Sequence, residues 1–78
     1  MTDTERIAAL SEAFIVIGKT VLLVDEFRGS IWVKIESPCD QYNRHCRPGT
    51  WLCRMTDEES PVDVVSRYMR WEKATLAH

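Results

Sequence analysis

The sequence predicts a small α+β domain of order αβββα, two helices packed on a three-stranded antiparallel sheet. Three observations carry this: a helical apolar period near the N-terminus, two strand-length segments joined by Arg28-Gly29, and a capped helical segment near the C-terminus. All 78 residues are expected to form one domain.

Thr2 followed by Glu5 has the form of a capping box, and Ile7, Leu10, Phe14 and Ile17 recur at spacings of three and four, as one helix face requires. A helix over residues 3–17 is expected. Gly18 suits the left-handed position that ends a helix. The competing reading makes residues 14–17 a strand, because Ile-Val-Ile is β-prone, turning at Gly18-Lys19. The period sustained from Ile7 favours the helix.

Residues 20–27 and 30–37 read as strands, with the two-residue connection between them short enough for a hairpin and glycine supplying a positive φ. In the second strand Ile31, Val33 and Ile35 point one way, toward the core, and Trp32, Lys34 and Glu36 the other. Pro38, which has no amide hydrogen, ends the pairing. Residues 38–50 contain two prolines, a glycine and an asparagine with no apolar period. This loop exceeds the usual connection length of about 4–6 residues, and long loops in compact domains are disproportionately functional or disordered. Residues 50–56 alternate again, with Trp51, Cys53 and Met55 on one side and Leu52 and Arg54 on the other, as a third strand would.

Ser60 and Pro61 then form an N-cap and first-turn pair with Asp63 at the third helical position, opening a helix over residues 61–76. Its apolar stripe is expected at Val62, Val65, Met69 and Leu76, widened by Val64, Tyr68 and Trp71. Asp63, Ser66, Arg67, Arg70 and Lys73 would face water, with Asp63 and Arg67 paired four residues apart.

Apolar residues make up 45% of the chain and charged residues 28%, values that exclude a disordered or fibrous polypeptide. No apolar run reaches the length of a membrane span, and MTDTER lacks the basic and apolar regions of a signal peptide, so a cytoplasmic protein is expected. In a reducing compartment three cysteines read as free or metal-bound; a Cys39–Cys46 disulfide is the alternative for an exported chain.

The net charge of −2 is unevenly spread. Residues 39–56 are the one basic segment, with Asp40 against Arg44, Arg47 and Arg54. Within it Cys39, His45, Cys46 and Cys53 supply four conceivable zinc donors. Structural zinc ligands usually come in pairs two to four residues apart, whereas six residues separate each cysteine here from the next, and adjacent side chains such as His45 and Cys46 diverge on an extended backbone. No cofactor is expected, and Cys53 reads more simply as a small buried hydrophobe.

A nucleophilic cysteine needs a positioned base, and His45 and His78 are the only histidines. No phosphate-binding, zinc-protease or serine-hydrolase motif is present, so an enzyme is not expected. Tyr42, Arg44, His45, Arg47 and Arg54 mix rings and cations as single-strand binders do, but the acidic balance opposes direct nucleic-acid binding. The residue types concentrated at protein interfaces, Trp, Tyr and Arg, gather in and beside the loop. The expected partner-binding set is therefore Trp32, Tyr42, Arg44, His45, Arg47, Trp51 and Arg54.

The function expected is a small non-enzymatic protein-binding module, an inhibitor or regulator occupying a surface of a larger protein or nucleoprotein complex. Size, acidity and lack of a cofactor are typical of phage or mobile-element inhibitors, including anti-CRISPR proteins. The alternative is a small zinc-stabilised nucleic-acid-binding domain, and a homodimer through the sheet edge or Trp32 is a further reading.

Overall fold

A computed structural model of the chain describes residues 2–41 and 47–76. Its elements follow the expected order: α1 (Asp3–Val16), β1 (Val21–Phe27), β2 (Ser30–Ser37), β3 (Gly49–Met55) and α2 (Pro61–Leu76). The sheet is antiparallel throughout, in the order β1-β2-β3, and both helices cover one of its faces.

Local chemistry sets the boundaries. The Glu5 amide donates to Thr2 Oγ1 at 3.2 Å, forming the N-cap of α1. At its other end Gly18 has φ +83°, its amide donates to the Ile15 carbonyl, and the Lys19 amide donates to the Phe14 carbonyl. That pair of bonds is a Schellman motif, so residues 14–16 are helical and the strand alternative fails. The β1–β2 turn has positive φ at both Arg28 and Gly29, the backbone of a type I′ hairpin, whose twist matches that of the strands it joins.

Four elements converge on one core. Leu10 and Phe14 of α1, Ile31, Val33 and Ile35 of β2, Trp51 and Met55 of β3, and Val64, Val65 and Tyr68 of α2 are buried together. Four rings form its centre: Tyr68 lies 5.1 Å from Trp51 and 5.9 Å from both Phe14 and Trp71, centroid to centroid. The edge-on contacts of Tyr68 with Trp51 and Phe14 add to what area burial alone provides.

The two helices run in the same direction, tied to each other and to the sheet at both ends. Arg6 donates to the Thr56 carbonyl and pairs with Asp57 at 3.7 Å near their N-termini. Toward their C-termini Lys19 pairs with Glu72 at 2.7 Å, and the Tyr68 hydroxyl also donates to Glu72. The hydrogen bonds from Lys19 and Tyr68 hold the Glu72 carboxyl below its ordinary pKa. Lys19 loses hydration, which opposes its charge, yet its bonds to Glu72 and Tyr68 outweigh that and raise its pKa.

Two expectations about α2 are corrected. Val62, Met69 and Leu76 are 68%, 54% and 50% exposed, so of the expected stripe only Val65 lies in the core. The helix turns its heavier face inward instead, with Val64, Tyr68 and the partly buried Trp71. Arg67 pairs with Glu59 at 3.0 Å rather than with Asp63, whose carboxylate accepts from the Ser60 amide and hydroxyl. Those bonds, the backbone one foremost, lower the Asp63 pKa. No helix among the described residues is long and apolar enough to cross a membrane.

Candidate functional site

Strand alternation divides the sheet residues between two faces, and the helices take one. In β2 Ile31, Val33 and Ile35 go inward, leaving Trp32, Lys34 and Glu36 outward. Register then builds the outer face row by row: Asp25, Trp32 and Arg54 lie across the three strands, followed by Leu23, Lys34 and Leu52. Phe27 continues the outer line of β1 beyond Asp25.

Leu23, Asp25, Glu26, Phe27, Trp32 and Leu52 line a shallow depression of about 350 Å³ on this face. Phe27 is 60% exposed, and Leu22 and Leu23 are also well exposed, both because the pairing slips at a bulge between Val21 and Leu23. Trp32 is half-buried at the centre, and its indole Nε1 is shielded from water with no acceptor. A buried N–H without an acceptor among the described residues is a local cost of about 1–3 kcal/mol.

The sheet has two edges, and the chain closes one itself. The Gln41 amide donates to the Thr50 carbonyl at 3.1 Å, and Gln41 Oε1 accepts from the Leu52 amide at 3.0 Å. Arg67 Nη2 donates to the Arg54 carbonyl at 2.9 Å. Three of the outward backbone groups of β3, the Thr50 and Arg54 carbonyls and the Leu52 amide, are thereby partnered by Gln41 at the start of the 38–48 connection and by Arg67 of α2. The other end of that connection is held as well: the Asp40 amide donates to the Arg47 carbonyl, and the Asp40 side chain packs so closely on Gly49 that a Cβ there would collide with the carboxylate.

These positions revise the expected partner-binding set. Trp51 is 3% exposed inside the ring cluster and is removed from it, because the alternation that sends Met55 inward sends Trp51 inward too. Arg47 and Arg54 are exposed, and Trp32 lies on the outer face as expected. Tyr42, Arg44, His45 and Cys46 lie outside the described residues. Leu23, Phe27 and Leu52 lie with Trp32 on this face, outside the expected set. Their signal was present in the register: once Ile31, Val33 and Ile35 are fixed inward, the two-residue hairpin places Leu23 and Phe27 beside Trp32's face.

The cysteines are also revised. Cys39 is buried and disulfide-bonded, against the expectation of free or metal-bound thiols, while Cys53 is a free, half-buried thiol whose pKa is pushed up by burial. A disulfide sulfur is not a thiolate, so Cys39 in this state is withdrawn from the weak zinc set of Cys39, His45, Cys46 and Cys53. Among the described residues no three His, Cys, Asp or Glu side chains gather as metal ligands do. Iodoacetamide applied to the unfolded, unreduced protein should label Cys53 and spare Cys39 until a reductant is added. Peptide mapping that finds Cys39 labelled without reductant would show a thiol there instead.

Set against known proteins, the chain matches no family model, no curated protein and no solved structure.

Proposed function

We propose that this protein is a non-enzymatic binding module that occupies a surface of a larger protein or nucleoprotein complex through the outer face of its sheet. The observation that carries the reading is an apolar sheet face, with Leu23, Phe27, Trp32 and Leu52 around one depression, on which no layer of the described residues is seated. A face of this kind costs free energy in water and is characteristic of interaction sites. Trp32 is its central anchor, the aromatic residue type that dominates interface hot spots.

Charge sets orientation around that anchor. Asp25 and Glu26 border the depression along β1, and Arg54 stands at the opposite end of the Trp32 row, so a complementary surface presents an apolar patch flanked by a cation on one side and an acid on the other. The inhibitor or regulator role, of the phage, mobile-element or anti-CRISPR kind, rests on size and charge. The zinc-stabilised nucleic-acid reading is weakened by the disulfide at Cys39. That bond also opposes a cytoplasmic setting, because disulfides persist in oxidising compartments. The labelling experiment above, done on protein trapped in its native cells, decides the setting.

Phe27→Asp is the direct test, since an exposed side chain can be changed without disturbing the core. Capture of the partner from the native host should fall at least about tenfold, the loss of a modest interface hot spot. The melting temperature should stay within a few degrees of the parent, as for most exposed substitutions. Undiminished capture by a folded Phe27→Asp protein rejects the sheet face as the site.

A further inference from the structure

We propose that α2 pairs antiparallel with α2 of a second copy of this chain, making a two-fold dimer through the helical layer and leaving both sheet faces free. The starting point is that α2 is apolar on two sides. One side carries Val64, Tyr68 and Trp71 into the core, and the other carries Val62, Met69 and Leu76 into water. The two faces lie about 120° apart around the helix, with Val65 between them, so the layer that covers the first leaves the second open.

The outer stripe has the geometry of a helix–helix seam. Its three residues recur every seven positions, and at about 100° per residue they lie within about 40° of one another around the helix, over a length of about 21 Å. Ser66 and Lys73 border this line on one flank, with Asp63 and Arg70 beyond them. Val65 and Glu72 border it on the other, where Glu72 is already held by Lys19.

Charge selects the occupant. The open flank is acidic at Asp63 and basic at Arg70 and Lys73, so the helix is complementary to itself when reversed. With the two-fold axis beside Met69, Met69 meets its own counterpart, Val62 meets Leu76 of the second copy, and Asp63 comes within reach of Lys73 of the second copy, twice over. A parallel pair would set Asp63 beside Asp63 and Lys73 beside Lys73. Ser66 is small enough near the axis to let the backbones approach, and the exposed Arg70 lies on the same outer flank as Asp63. Antiparallel helices also oppose their dipoles favourably. At the C-terminal end of α1, Ile15, Val16 and the C-cap residue Ile17 are also exposed.

The sheet's outer face lies on the far side of the molecule from α2, so this dimer would present two identical recognition faces pointing apart. Such a protein gains avidity on a partner offering two copies of its site. The dimer inference stands on α2 alone and does not rest on the sheet-face reading.

Sedimentation equilibrium of the full chain from about 1 μM to about 1 mM tests it, a range that covers dissociation free energies of roughly 4–8 kcal/mol. The parent should shift from monomer to dimer within that range. Met69→Lys, helical by circular dichroism, should raise the dimer Kd at least about tenfold. Lys73→Asp should weaken association, and adding Asp63→Lys to it should restore association. Phe27→Asp should dimerise as the parent does. A parent monomeric throughout, a Met69→Lys protein that associates as well as the parent, a folded charge swap that fails to restore association, or a dimer lost in Phe27→Asp would each overturn the proposal.

Discussion

Leu10→Asp should leave the chain without a cooperative thermal transition. Leu10 has no exposed surface and sits among Phe14, the β2 core residues and the α2 core face, so a carboxylate there has neither water nor a cationic partner within the cluster. Losing the leucine side chain alone costs about 2–5 kcal/mol. Burying an unpaired carboxylate adds several kcal/mol more, or forces its protonation. A domain of this length has about 4–12 kcal/mol in total, so the folded state is lost. Val65→Asp is the informative contrast. Val65 lies on the core's rim beside the exposed stripe of α2, so its carboxylate can lean into water and a weakened but folded protein is expected. Far-UV circular dichroism with heating distinguishes the outcomes. A Leu10→Asp melt within a few degrees of the parent would show that α1 docks on a different face.

How much of this was legible in the sequence varies by element, for a physical reason. In β2 the alternation has period two, and a slip of one residue would bury Lys34 and expose Val33, so the pattern allows one answer. In α1 the period and the capping residues agree, and Thr2 and Gly18 close the helix as their chemistry requires. In α2 they do not suffice, because two apolar stripes compete. Val62, Val65, Met69 and Leu76 make the cleaner period, but the larger rings of Tyr68 and Trp71 stack on Trp51 and pull their own face inward. Periodicity identifies a stripe without saying what covers it.

The site divides along the same line. Trp32 followed from alternation, and so would Trp51 have done: the pattern that grouped it with Met55 outweighs the general enrichment of tryptophan at interfaces. The closing of the β3 edge by Gln41 was not legible, since it depends on a loop returning beside a strand eleven residues away. Nor was the state of Cys39, because thiol chemistry depends on the compartment as well as on the sequence.

Tyr68 is where the sequence's two roles for a tyrosine, ring and hydroxyl, can be separated by experiment. The ring is fully buried and touches Phe14, Trp51 and Trp71, three of the other core aromatics. Tyr68→Ala should therefore cost about 3–5 kcal/mol, enough to leave the domain largely unfolded at moderate temperature. The hydroxyl serves a different purpose, joining Glu72 beside Lys19 where the two helices and the start of β1 meet. Removing it in Tyr68→Phe keeps every ring contact. Glu72 also keeps its bond to Lys19, so no charge is left unpaired. The expected loss is about 1 kcal/mol, a fall in melting temperature of about 4–8 °C for a domain this small. Glu72→Gln in both backgrounds completes a cycle, and its coupling energy measures the hydroxyl–carboxylate bond apart from the packing. If Tyr68→Phe proved as damaging as Tyr68→Ala, the polar cluster and not the stacked rings would be what fastens α2 to the sheet.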